Sequence, residues 1–155
     1  MSTADAMRAR VLVTDDEAGI RNDLSDYLSH LGYHVSVADD AGSTLSQVTE
    51  TAYGVLLLDD ILPDESGLEI LPRLLDIRPS MSVIVMTGCP TVKSVIKAMR
   101  RGACDFVVKP FELDELKTAV YRAAQRNQRL VDEAFRNRKD TTRDSGTVMN
   151  SVSQD

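Results

Sequence analysis

The sequence predicts an α/β fold built on a doubly wound, five-stranded parallel sheet. Short apolar runs and helix-period segments alternate five times along the chain, the pattern of a parallel sheet covered on both faces. Two runs, Val55–Leu58 and Ser82–Thr87, are continuously apolar at their centres, as expected of strands with both faces buried. No internal repeat of the solenoid kind is present. Right-handed crossovers then leave few topologies, of which the flavodoxin-like order is the natural choice.

Met1–Arg8 is short and polar and is expected to fray. Arg10–Thr14 is the first strand and ends in Asp15, Asp16 and Glu17. Ile20, Leu24, Leu28 and Leu31 recur at helical spacing, with Arg21, Asp23 and Asp26 on the other face. Gly32 stops that helix. Tyr33–Ala38 alternates as a strand, and Ala41, Leu45 and Val48 mark a weaker helix. Gly54 precedes the third strand. Leu68, Leu71, Leu74 and Leu75 form the next helix, in which Pro72 is tolerable only in the first turn or two.

Ser82–Thr87 is the fourth strand and stops at Gly88, Cys89 and Pro90. Val92, Val95, Ile96 and Met99 follow an i, i+3, i+4, i+7 pattern, a helix ending near Gly102. Cys104–Val108 is the last strand, followed by Lys109–Pro110–Phe111. Glu112 opens the final helix, where Glu112, Asp114 and Glu115 suit a positive helix N-terminus.

That helix runs on. Leu113, Leu116, Val120, Ala123, Asn127, Leu130 and Ala134 recur by threes and fours, a heptad register with one Asn at a core position. Its first half must cover the sheet, so only the part beyond Gln125 is free to pair. A weak homodimer through this extension is one expectation, and a solvated helix is the other. The expected organisation is a folded domain over 9–125, a helical extension over 126–138 and a disordered polar tail over 139–155.

With 155 residues, 43% of them hydrophobic, the chain can bury one sizeable core. Its net charge of −6 argues against direct nucleic-acid binding and against an anionic membrane surface. The charge is uneven: residues 1–125 carry 12 basic and 19 acidic side chains, and residues 126–155 carry 6 and 5. Cys89 and Cys104 have neither metal-ligand spacing nor a disulfide framework. Cys104 reads as a small core residue and Cys89 as a partly exposed loop thiol. His30 and His34 flank a Gly32 turn and read as surface residues. Without a signal peptide or a long apolar run, a soluble cytoplasmic chain is expected.

The chemistry concentrates at strand ends. Asp59 stands where Val55–Leu58 stops, and Pro63 with Asp64–Gly67 makes a loop before the next helix. In open α/β sheets the carboxyl edge is where ligands bind. A carboxylate fixed there can be a metal ligand, a nucleophile, or both. The same edge receives Asp15 and Asp16 from the first strand, Thr87 from the fourth and Lys109 from the fifth. Each has an ordinary structural explanation: a helix cap, a strand terminus, a surface lysine. All of them holding at one edge is improbable. Converging carboxylates repel unless a cation joins them, and hard oxygen ligands suit Mg²⁺. Lys109 and Thr87 could then hold phosphate oxygens, leaving Asp59 as an oxygen nucleophile able to form an acyl phosphate.

The acidic pair in V-T-D-D-E, D-D-I-L-P with Gly67 eight residues past Asp59, Thr87 in I-V-M-T-G, and K-P-F at Lys109–Phe111 together resemble the receiver domain of two-component response regulators. The resemblance covers residues 10–124. It implies Asp59 as phospho-acceptor, and Mg²⁺ held by Asp16, Asp59 and the Ile61 carbonyl with Asp15 assisting through water. It also implies Thr87 and Lys109 on the phosphoryl group, Phe106 at the aromatic switch position, and a cis bond at Lys109–Pro110. The wording A-M-R-R-G-A-C-D-F-V-V-K-P-F, with G-C-P-T-V before it, is similar to receivers that regulate transcriptional activators. No ATPase or helix-turn-helix is expected in the short remainder.

Asp60 departs from the pattern, which has an apolar residue there. An extra carboxylate could raise a neighbour's pKa, tighten metal binding or point to solvent, and it admits Asp60 as a rival acceptor. The Pro63 spacing favours Asp59. The function implied is a phospho-accepting switch, charged by a sensor histidine kinase or phosphotransfer protein and read by a downstream effector. A haloacid-dehalogenase-type phosphatase is the main alternative, but it needs a second Asp where Ile61 stands. A receiver used only for docking is the third.

Overall fold

Successive residues of a strand face opposite sides of the sheet, and in this chain both sides are apolar. Leu12, Leu56, Leu58, Val83 and Val85 enter one buried cluster, while Val11, Val13, Val55, Leu57, Ile84 and Met86 enter the other. Such strands are stable only between two layers of helices. The computed structural model, which describes the backbone of residues 8–154 and the side chains of residues 8–139, has that architecture.

Strands β1 (Arg10–Thr14), β2 (His34–Ala38), β3 (Val55–Asp59), β4 (Ser82–Thr87) and β5 (Asp105–Val108) form one parallel sheet in the order β2-β1-β3-β4-β5. They alternate with helices α1 (Ala18–His30), α2 (Ala41–Glu50), α3 (Gly67–Ile77), α4 (Val92–Arg100) and α5 (Leu113–Gln154). This is the predicted flavodoxin-like order. Leu24, Leu28, Leu116, Val120 and Ala123 from α1 and α5 seal one face, and Ala41, Val48, Ile70, Leu71, Leu74 and Ala98 from α2, α3 and α4 seal the other.

Pro72 is the sixth residue of α3, at the limit of what the sequence allows. A proline there cannot donate to the carbonyl four residues back, which is that of Leu68. The vacancy is filled from another helix: Arg101 Nη1 donates to Leu68 O at 2.7 Å. Arg101 also pairs with Glu69 at 3.2 Å, and Lys97 joins Glu69 at 3.0 Å. The proline thus ties the end of α4 to α3.

Two boundaries differ from expectation. Arg8, expected to fray with the preceding residues, is anchored, its Nη1 donating to Tyr33 OH at 3.1 Å and its guanidinium lying 5.0 Å over the ring. Met1–Met7 lie outside the described residues. At the other end the backbone of α5 stays helical to Gln154, through the span that composition assigns to a disordered tail. Adding a residue to an existing helix fixes one residue for one hydrogen bond, so propagation is far easier than nucleation.

Asn127, read as a dimer-seam residue, is engaged within its own domain. Its Nδ2 donates to Ser80 O at 2.8 Å, and a Cβ on Gly54 would stand 2.7 Å from its Oδ1. Arg126 Nη1 reaches Ser82 Oγ at 3.2 Å. The extension therefore begins as a docked segment against the amino edge of the sheet. It is not a free heptad from residue 126.

Candidate functional site

The carboxyl edge of the sheet gathers the predicted polar residues. β1 and β3 are neighbours, and the chain turns outward in opposite directions from them, so the crevice between their ends is the topological switch point of the fold. Asp15 follows β1 and is wholly buried, and Asp59 ends β3 with 5% exposure. Lys109, just past β5, donates from Nζ to Asp15 Oδ2 and, at 3.2 Å, to Asp59 Oδ2. One ammonium thus joins two carboxylates 44 residues apart in sequence.

Local backbone fixes each group. Asp15 N donates to Ala38 O at 3.1 Å, Arg21 Nη1 donates to Asp15 O at 2.7 Å, and Glu17 N donates to Asp15 Oδ1 at 3.0 Å. Asp59 pairs in register with Met86, and its Oδ1 accepts from Ile61 N at 3.2 Å. Thr87 is buried, and its Oγ1 accepts from Cys89 N at 3.2 Å while its carbonyl accepts from Lys109 N at 2.7 Å. The Lys109–Pro110 bond is cis, as the resemblance implies.

The electrostatics are strained. Burial and the neighbouring Asp15 charge push the Asp59 carboxyl up to about 7, against the opposing pull of the Ile61 amide and of Lys109. Burial alone would lower the Lys109 ammonium, but the Asp15 hydrogen bond and both carboxylate charges outweigh it and hold its pKa above the ordinary value. A buried acid raised this far in a crevice marks a functional-site candidate.

A cation fits this donor set. Carboxylate oxygens of Asp15, Asp16 and Glu17 all lie within 4.8 Å of one another, with Asp16 and Glu17 exposed. Hard oxygen donors beside an acid that resists ionisation are the chemistry a small divalent ion relieves. Glu17 was not singled out from sequence as a ligand, although it closes the D-D-E run. Ile61, expected to offer its carbonyl, is 67% exposed.

Two further residues gain a physical reason. A Cβ on Gly67 would stand 2.1 Å from Asp59 O. Only glycine lets α3 begin this close to the acidic strand end. Asp64 Oδ1 and Oδ2 accept from Ala41 N and Gly42 N at 2.9 and 3.0 Å, so the loop after Asp59 caps α2. These donors hold the Asp64 carboxyl below the usual range. Asp60 is half-buried; its N–H donates to Met86 O at 3.1 Å and its carbonyl accepts from Gly67 N at 3.0 Å. Lys109 reaches Asp59, not Asp60. Phe106 is half-buried against the cluster shared by α2, α3 and α4.

Cys104 is partly buried, as read, and Cys89 is exposed. His30 and His34 are exposed on the surface. Among the described residues no helix is long and apolar enough to cross a membrane.

The family model described as response regulator receiver domain matches residues 11–121. The DNA-binding transcriptional regulator NtrC of Azospirillum brasilense is 37% identical over 119 residues, covering 77% of this chain and 25% of the relative. The transcriptional regulatory protein FixJ of Rhizobium meliloti is 36% identical over 115 residues, covering 74% of this chain and 56% of the relative. The chain thus spans between about a quarter and a half of these relatives. Among solved structures, NtrX from Brucella abortus in complex with ATP superposes with a TM-score of 0.77 at 32% identity, covering 83% of this chain and 29% of that one. The beryllofluoride-activated NtrC4 receiver domain dimer superposes with a TM-score of 0.73 at 32% identity, covering 76% and 98%. With the fold, the carboxyl-edge crevice and these matches in agreement, the chain belongs to the receiver domain family of two-component response regulators.

Proposed function

We propose that this receiver domain is a phospho-accepting switch in which Asp59 takes a phosphoryl group from a sensor histidine kinase or phosphotransfer protein. The observation that carries the proposal is the single Lys109 ammonium shared by Asp15 and Asp59 at the switch point. It holds Asp59 Oδ2 in place and offers a positive charge where a phosphoryl oxygen would develop. Asp15, Asp16 and the Asp59 carboxylate, with the Ile61 carbonyl and Glu17 beside them, would hold Mg²⁺, which supplies charge neutralisation for phosphoryl transfer. The chain acts as a signalling switch rather than as a turnover enzyme. The position two residues past Asp59 is Ile61, which offers no general acid for a phosphatase cycle.

The signal leaves through Thr87. A phosphoryl oxygen is a stronger acceptor than water in a partly desolvated crevice, so the Thr87 hydroxyl turns toward it. Phe106, already half-buried and without a hydroxyl to tether it outward, packs into the space behind. The face from Val92 to Val120, comprising α4, β5 and the start of α5, changes with it, and a downstream effector reads that change. Only a differential affinity between two states is needed. The relatives named as DNA-binding match this chain over about a quarter of their length, and their DNA binding is not carried over to it.

Amide chemical-shift mapping with beryllofluoride and Mg²⁺ tests this route. Wild type is expected to shift around Asp59 and across residues 92–120. Thr87→Ala is expected to keep the shifts around Asp59 and lose the remote ones. Undiminished remote shifts in Thr87→Ala would assign the signal to another element.

A further inference from the structure

Helices α1 and α5 seal one face of the sheet, and a concavity of about 310 Å³ opens between them. It is lined by Arg8, Leu31, Tyr33, Lys117, Thr118 and Tyr121. Arg8 precedes β1, Leu31 follows α1 and Tyr33 precedes β2, so the concavity lies toward the amino edge, whereas Asp59 ends β3 at the carboxyl edge. The phospho-acceptor chemistry makes no use of these residues.

The lining joins cations to aromatic rings. Within a chain of net charge −6, its charged members among the described residues are Arg8 and Lys117, with no carboxylate beside them. Lys117 is exposed and forms no ion pair among the described residues. Arg8 Nη1 donates to Tyr33 OH at 3.1 Å, which fixes its positive charge at the wall. Burial holds the Tyr33 hydroxyl above its ordinary pKa even beside Arg8, so at neutral pH it adds no negative charge. Tyr33 itself is 5% exposed, while Tyr121 is 50% exposed. The Tyr121 hydroxyl accepts from Gln125 Nε2 at 2.9 Å, which tethers its ring on the surface of α5. Leu31 is half-buried.

We infer that this concavity binds a small single-ring aromatic carboxylate, its ring against Tyr121 and Leu31 and its carboxylate on Lys117, in the positive field of Arg8. The inference goes beyond the phospho-acceptor reading and does not depend on it. A concave, largely apolar surface with a few polar groups is the usual form of a small-molecule site, and this volume is at the low end of the range. One ring suits it better than a nucleoside triphosphate. Tyrosine faces favour an aromatic body, and cations without carboxylates select an anion. Nucleic acid needs a run of phosphate contacts, which two cations in an acidic chain do not supply. A second copy docked symmetrically would set Lys117 and Arg8 against themselves.

Amide chemical-shift titration of the full chain with benzoate tests the site, with benzamide and acetate as controls. Saturable shifts at Leu31, Tyr33, Thr118 and Tyr121 are expected with benzoate. Benzamide lacks the charge and acetate lacks the ring, so each should bind about tenfold more weakly or worse. Lys117→Met should weaken benzoate by about tenfold or more, and Tyr121→Ala by about threefold or more. Both positions are exposed, and shifts elsewhere in the spectrum should keep their wild-type positions. The inference is overturned if benzoate gives no saturable shifts, if its shifts centre on Asp59, or if Lys117→Met leaves its affinity unchanged. Benzamide or inorganic phosphate binding as tightly as benzoate would overturn it equally.

Discussion

The two edges of the sheet are built on opposite principles. At the carboxyl edge Asp15 and Asp59 are buried close together about one ammonium, and burial and the Asp15 charge drive Asp59 up to about 7 against the pull of Lys109. At the amino edge the contacts between Asn127 and Ser80 O, and between Arg126 and Ser82 Oγ, involve no carboxylate. The first edge crowds two carboxylates about one ammonium. The second joins a helix to a domain with satisfied polar groups. The difference teaches where this fold concentrates stability and where it gives stability up for chemistry.

The largest effect is expected at the junction of the acidic strand end with α3. Gly67→Ala places a Cβ 2.1 Å from Asp59 O, and backbone atoms cannot yield as a flexible side chain does. A loss of about 3 kcal/mol or more in urea unfolding is expected, with loss of phosphorylation. Near-wild-type stability would mean that α3 can begin elsewhere.

Next comes the charge conflict itself. The folded state raises the Asp59 pKa from 3.8 to about 7, so it holds that proton more tightly than the unfolded chain does. The group therefore imposes no penalty below about pH 4, and stability falls as pH rises toward about 7, then stays level with respect to Asp59. Asp59→Asn should remove this slope and leave the variant about 1–3 kcal/mol more stable than wild type at pH 8 without Mg²⁺. Adding Mg²⁺ should narrow the gap by stabilising the wild type alone. Urea midpoints over a pH series check both, and a flat wild-type profile would show that Asp59 ionises without conflict.

At the neutral edge, Asn127→Leu removes a donor from Ser80 O and sets a branched side chain against Gly54. The melting midpoint should fall, corresponding to about 1–2 kcal/mol, with no gain in self-association by sedimentation. A rise in stability accompanied by dimer would return Asn127 to the role of a seam residue. The smallest effect is expected between the helices: Arg101→Met leaves Leu68 O without its donor and should cost about 1 kcal/mol, visible in hydrogen exchange of α4.

The same contrast explains what could be read from the chain. The carboxyl edge was legible because each strand end announces itself locally: an apolar run stops and a charged or hydroxyl residue follows, as at Asp15, Asp59, Thr87 and Lys109. Strand–helix alternation with right-handed crossovers then left few sheet orders, among them the one observed. The amino edge was not legible. The Asn127 contact spans 47 residues to Ser80, and an Asn at a heptad core position looks the same whether it faces a partner helix or a turn of its own domain. Gly67 was visible as a spacing, but its reason, the closeness of Asp59 O, is a tertiary fact. Pro72 was visible as an irregularity, and nothing local to it points to Arg101 as the group that satisfies Leu68 O.

The central claim is that the crevice phosphorylates Asp59 and not its neighbour. Intact mass after incubation with acetyl phosphate and Mg²⁺ tests it most directly, on wild type, Asp59→Asn and Asp60→Asn. A single stable phosphate adduct on wild type, lost in Asp59→Asn and kept in Asp60→Asn, is the predicted result. An adduct that survives Asp59→Asn and vanishes in Asp60→Asn, or steady phosphate release with no adduct at all, would contradict it.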